Sequence, residues 1–270
     1  MKKINGKNLE AKLRNYSLMA TGILATGHIA NGQTVNYVDI EPDITILGNG
    51  NLPLDFDNDG TDDFMISNFN YSTFNTGSSS SYSSPYTYQY FSTMRLALNL
   101  PYMYGTNGAQ AQVNGKLSGK LYGKLYGWYF GKIPFSFYQA DKLDKSDLVS
   151  SAKSWNNNGI MGLYNVYQVI YGSRTISGTS TISSSIFTSK NYGPNTYGNW
   201  FGQTDKYLGF RFKNDDNKWL YGWIRLDVGA KGEYIKIKDY AYAVTPNTHI
   251  KAGDLGADPI TILDATIRQG

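Results

Sequence analysis

Five oxygen-bearing residues alternate through "DFDNDGTDD": Asp55, Asp57, Asp59, Thr61 and Asp63. Counted from Asp55 they occupy positions 1, 3, 5, 7 and 9, and Gly60 stands at position 6. This spacing folds alternate carboxylates inward around a hard cation, with the glycine permitting the sharp turn. Thr61 would offer its backbone carbonyl, and Asp63 would bind directly or through water. Position 12 is Ile66, where a helix-flanked calcium loop carries a bidentate Glu. The expected ligand is Ca2+. Its expected role is structural, because every ligand comes from one local segment. Four carboxylates this close repel one another unless a cation is present. The alternative is an acidic turn that only solubilises its hairpin.

The elements that position this loop read as strands. "LPL" before it and "FMISNF" after it alternate with period two, which sets the loop in a β-hairpin rather than between helices. Upstream, "TVNYVDIEPDITI" reads as a strand and turn punctuated at Pro42-Asp43. Residues 68–86 are rich in Ser, Tyr and Asn and read as a loop. "YTYQYFSTMRLALNL" returns to alternation.

A second pattern runs from Asn114 to Lys132, "NGKLSGKLYGKLYGWYFGK", with Gly at 115, 119, 123, 127 and 131. As a helix it would line up glycines that each cost about 1 kcal/mol relative to Ala. As a strand, four is twice two. One face then carries Gly115, Leu117, Gly119, Leu121, Gly123 and Leu125, and the other Lys116, Ser118, Lys120, Tyr122, Lys124, Tyr126 and Trp128. The strand reading accounts for both faces. Asn114-Gly115 fits a hairpin turn, with "AQAQV" as the opposite arm. So long a strand also calls for a bulge or bend at one glycine. Lys120, Tyr122, Lys124, Tyr126 and Trp128 form a candidate strip for an anionic glycan or other surface polymer, the rings stacking and the lysines supplying charge. The alternative is a solvated face.

"ADKLDKSDLVSSAKSW" is the best helix candidate, capped by Asp141 or Ser146, with Leu143, Leu148 and Ala152 on one face. "KYLGFRF", the turn "KNDDNK", "WLYGWIRLDV" and "EYIKIKDYAYAV" read as successive antiparallel strands. Leu208, Phe210 and Phe212 share a face with Leu220, Ile224, Leu226 and Val228. Trp219, Tyr221, Trp223 and Arg225 point the other way, to bind a glycan if that face is open and to form core if it is covered. "ITILDATI" reads as a last short strand. The expected fold is all-β, an antiparallel β-sandwich or jelly-roll-like domain over residues 33–254 with one short helix and a tail at 255–270.

The first 32 residues read as a signal peptide: a basic start, an apolar stretch from Leu18 to Ala25, and Ala30-Asn31-Gly32 as a cleavage site before Gln33. Their removal takes five basic residues and one acidic, so 25 and 21 become 20 and 20. A neutral mature chain lacks the surplus of cations that nucleic-acid binding needs. No later stretch has the ~20 apolar residues that span a bilayer as a helix. Cysteine is absent, which excludes disulfides, thiolate nucleophiles and Cys-ligated zinc. After the leader, His249 is the only histidine and Glu41 and Glu233 the only glutamates. No nucleophile elbow, zinc-protease, phosphate-loop or dinucleotide motif occurs. The expectation is a protein that is not an enzyme.

At "DFDNDGTDDFMIS" together with "YLGFRF…YGWIRLDV…IKIKDYAYAV…IKAGD" the chain resembles a group of poorly characterised exported β-rich proteins of Bacteroidota and related bacteria. They pair an Asp-rich hairpin near the mature start with a Y-x-G-F-R-F…Y-G-W hairpin near the end. The resemblance covers residues 34–67 and 206–254. It implies calcium-type positions at Asp55, Asp57, Asp59 and Asp63, and carries over no activity. Many members end in a longer surface-sorting domain, whereas 16 residues follow Asp254 here. The expected setting is secreted, cell-surface or periplasmic. The expected function is a calcium-binding β-sandwich contacting a surface polymer or protein partner. A self-assembling fibre or matrix subunit and a carbohydrate-active enzyme are the alternatives.

Overall fold

The computed structural model describes residues 28–30, 33–83, 86–125, 129–177 and 186–256. The leader expected over 1–32 lies outside these residues except for His28–Ala30. The expected strand at 260–267 and most of the expected tail also lie outside them. Among the described residues there is no helix, and so none long and apolar enough to cross a membrane.

The chain begins with β1 (His28–Ala30), β2 (Gln33–Leu47) and β3 (Gly50–Leu54). Two strands of 20 residues follow, β4 (Phe64–Ser83) and β5 (Tyr86–Gly105), then β6 (Gln110–Leu125) and β7 (Tyr129–Ala140). Short pieces come next: β8 (Leu148–Val149), β9 (Trp155–Asn156) and β10 (Asn158–Ile160). Longer strands return as β11 (Gly162–Ser177) and β12 (Ile186–Gly198). The last are β13 (Lys206–Lys213), β14 (Trp219–Val228), β15 (Tyr234–Ala243) and β16 (Ile250–Lys251).

Fourteen strands join one sheet in the order β1-β2-β15-β14-β13-β6-β7-β10-β5-β11-β12, with β4 on β5, β3 on β4 and β9 on β6. The sheet is mixed, since β10 runs parallel to β7. The fold is all-β as expected, but this order follows one large sheet bent nearly into a barrel and does not establish a sandwich or jelly roll. Alternation explains the interior. Leu52, Leu54, Phe64, Ile66, Phe210, Phe212, Ile224, Leu226, Ile235 and Ile237 point to one side and make the main core.

A second core lies on the other face of β13–β15. Tyr207, Tyr221, Trp223, Ala241 and Ala243 pack there with Leu143, Val149, Ile250 and Ala252. The segment expected as a helix supplies this cover. Leu143 bridges Tyr207, and Val149 pairs with Ile250. No helix forms because local polar groups capture the backbone. The Asp144 N–H donates to Asp147 Oδ2 at 2.7 Å, and Ser146 turns the chain at φ 75°. Such bonds compete with the helical ladder.

Two further corrections follow from the ladders. Residues 68–83, expected as loop, continue β4 and pair with β5 to its end. The opposite arm of β6 is β7, not "AQAQV", whose residues from Gln110 to Val113 open β6 itself. Asn114-Gly115 is therefore not a hairpin turn. Gly115, at φ 72°, sits in a bulge where Val113 pairs with Ala140 and Lys116 with Tyr138. The expected bend at a glycine falls there.

Candidate metal centre

β3 and β4 pair in register from Gly50↔Asn68 to Leu54↔Phe64, so the hairpin closes on residues 55–63. The Asp63 N–H donates to the Leu54 carbonyl at 2.9 Å and ends the ladder. Phe56 anchors the loop. Its ring is buried and stacks on Phe210 with centroids 3.9 Å apart. The β5–β6 turn braces the far side. The Thr106 N–H donates to the Asp63 carbonyl at 2.7 Å, and the Thr106 hydroxyl and Asn107 Nδ2 donate to the Asp62 carbonyl. These braces come from over 40 residues away, and no local signal announces them.

Within the loop, two residues take left-handed conformations, Asn58 at φ 62° and Gly60 at φ 89°. Each reverses the chain where an ordinary side chain would be strained. The Gly60 N–H then donates to Asp55 Oδ2 at 2.9 Å, and the Phe56 N–H to Asp63 Oδ2 at 2.9 Å. As a result one carboxylate oxygen each from Asp55, Asp57 and Asp63 lies within 4.8 Å of the others. Asp59 is not in this group. It shapes the turn instead: its Oδ1 accepts the Thr61 N–H at 2.7 Å, and its own N–H donates to Asp57 Oδ1 at 3.3 Å.

The electrostatics are one-sided. Asp63 is only 7% exposed. Burial pushes its carboxyl up to about 7, against the pull of the Phe56 N–H, and the charges of Asp57, Asp55 and Asp59 add to the rise. Burial likewise raises Asp57, with Asp59 the next cause. Asp55 Oδ1 is buried with no hydrogen-bond donor. Among the described residues no Lys, Arg or His pairs with Asp55, Asp57 or Asp63. A hard divalent cation fits this set: oxygen donors only, one of them orphaned, and negative charge with nothing to balance it.

The candidate polymer strip is described only in part. Lys116, Ser118 and Lys120 are exposed on one face of β6, while Leu117 and Leu121 pack inward with Phe135, Ile160 and Leu163. A Cβ on Gly119 would meet the rings of Tyr197 and Phe135 at 2.6 and 2.8 Å, so this glycine admits the neighbouring layer. The Lys116 ammonium lies 5.3 Å from the Tyr138 ring centroid. Tyr122 and Lys124 belong to β6 by their backbone pairing with Lys132 and Phe130. Tyr126 and Trp128 lie outside the described residues.

The other aromatic candidate is core. Trp223 is 1% exposed and Tyr221 2%. Arg225 is committed to a two-point pair with Asp239, at 2.9 and 2.6 Å, and Tyr37 donates to the same carboxylate at 3.0 Å. Trp219 covers the Arg211 guanidinium at 4.2 Å, with Trp155 4.8 Å from that guanidinium. Comparison with protein-family models, with curated proteins and with solved structures finds no match.

Proposed function

We propose that this chain is a non-enzymatic, secreted, cell-surface or periplasmic β protein that binds Ca2+ at the β3–β4 turn for structural purposes. One observation carries the reading. Asp55, Asp57 and Asp63 converge within 4.8 Å, with the Asp63 side chain nearly buried and no basic partner among the described residues. The ion would tie the loop to Phe56 and the core beneath it. The exposed Lys116 and Lys120 of β6 support the second part of the reading, contact with an anionic polymer or a protein partner.

The test is thermal. Extracellular modules bind calcium at ~10⁻⁴–10⁻³ M. At ~1 mM calcium and a dissociation constant of ~10⁻⁴ M, the folded state gains about 1.4 kcal/mol. Melting should rise with calcium and fall with chelator, and Asp57→Asn should remove the difference. Equal melting of the wild type in both conditions would leave only the solubilising turn.

Linkage adds a pH signature. In the metal-free protein the Asp63 carboxyl titrates at about 7, above its ordinary value. The folded state then holds a proton that the unfolded state releases. Its contribution is present at low pH and is lost as pH rises toward 7. Calcium needs the ionised form, so its stabilising effect should grow over the same interval.

A further inference from the structure

β4 is paired on both sides only at its start. β5 follows it from Phe64 to Ser83, whereas its pairing with β3 stops at Asn68. Beyond that point no strand lies on the outer edge among the described residues. The Asn70 N–H donates to Asn49 Oδ1 at 2.7 Å, on the side away from β5. Period two then turns the N–H and C=O groups of Ser72, Phe74, Thr76, Ser78, Ser80 and Tyr82 outward. This is a ladder edge of roughly 40 Å.

Such edges usually carry lysine, proline or irregular pairing that keeps other strands away. The other long edges of this molecule do. β6 has Lys116, Lys120 and Lys124, β7 has Lys132 and Pro134, β12 has Lys190 and Pro194, and β2 has Pro42. From Phe69 to Ser83 there is no charged residue and no proline. Phe74 and Tyr82 nevertheless stand 66% and 74% exposed.

We propose that β4 pairs antiparallel with β4 of a second copy, about Thr76, to close a two-fold dimer. The strand is self-complementary in that direction. Its first half carries Phe69, Tyr71 and Phe74, and its second half is Gly77, four serines and then Tyr82, which the same pairing sets opposite Asn70. Antiparallel pairing about Thr76 sets Tyr71 opposite Ser81, Phe74 opposite Ser78 and Ser72 opposite Ser80. Outward backbone groups then meet outward groups, as the hydrogen-bonded pairs of an antiparallel ladder require. A parallel arrangement would instead set each bulky residue against its own copy. The joined sheet would run β12-β11-β5-β4 and on through the same strands of the second copy in reverse. Its outer strands would be the guarded β12 edges, so assembly stops at two rather than growing into a fibre.

Sedimentation equilibrium of the full chain across a concentration series tests this. The wild type should be a reversible dimer, to the same extent with calcium and with chelator. Phe74→Lys with Ser78→Lys places like charges opposite each other and should raise the dissociation constant about tenfold or more. Mixing that variant with Phe74→Glu/Ser78→Glu should restore a dimer. The chain has no cysteine, so a Thr76→Cys variant gives an independent reading. A short bismaleimide should join its copies and should fail to join those of Lys153→Cys. A monomeric wild type would overturn the proposal, as would a dimer indifferent to the lysine pair. A dimer that dissolves in chelator would place the contact elsewhere and overturn it too. None of these outcomes decides whether the β3–β4 turn binds calcium.

Discussion

The β13–β14 and β6–β7 hairpins are built on the same alternation, apolar residues on one face and aromatic or basic residues on the other. In β13–β14 both faces are covered. Phe210 and Ile224 enter the main core, while Tyr207 and Trp223 lie under Leu143, Val149 and Ile250. In β6–β7 only one face is covered. Leu117 and Leu121 pack against the β5–β11 sheet, and Lys116, Ser118 and Lys120 remain in solvent. The difference is not in the strands. It lies in residues 143–149 and 250–252, which cross one hairpin and not the other. An aromatic stripe becomes a binding candidate or a core according to what a distant part of the chain lays over it.

Substitutions sharpen that contrast. Trp223→Ala should destabilise by about 3–5 kcal/mol, the range for emptying a buried Trp site. It also leaves the Asp254 carbonyl without the indole N–H that now donates at 3.1 Å. Chemical denaturation should show this as a lower midpoint at unchanged slope. A loss under 1 kcal/mol would mean that the 250–252 cover is loose. Leu121→Asp should cost less, about 2–3 kcal/mol, because the charge enters a half-buried site beside Phe135 and Leu163. Lys120→Ser should stay within about 0.5 kcal/mol, as exposed changes do. If Lys120→Ser cost as much as Leu121→Asp, both faces of β6 would be buried and the polymer strip would have to be abandoned.

Much of the fold was legible in sequence, and the failures have physical causes. The hairpin "KYLGFRF…WLYGWIRLDV" forms with full pairing from Lys206↔Leu226 to Lys213↔Trp219, because period-two alternation and a polar turn act locally. The Ser/Tyr tract misled because its serines and asparagines outnumber its aromatic residues and hide the alternation. β5 pairs it all the same, and pairing overrides weak propensity. Around Leu143 the apolar spacing resembled a helix, but Asp147 and Ser146 turn the backbone and the apolar residues serve as a lid. In the acidic loop the alternation of Asp55, Asp57 and Asp63 made their convergence readable, and the three carboxylates do come together. The separate task of Asp59, accepting the Thr61 N–H, was not readable, because alternation alone does not show which carboxylate turns back on its own loop.

The central claim is that the β3–β4 turn holds one calcium ion through Asp55, Asp57 and Asp63. Isothermal titration of the full chain with calcium above pH 7 tests it most directly. The account predicts one ion per chain, loss of binding in Asp63→Asn, and weakened but retained binding in Asp59→Asn. Absence of binding at millimolar calcium, or binding that survives Asp63→Asn, would contradict it.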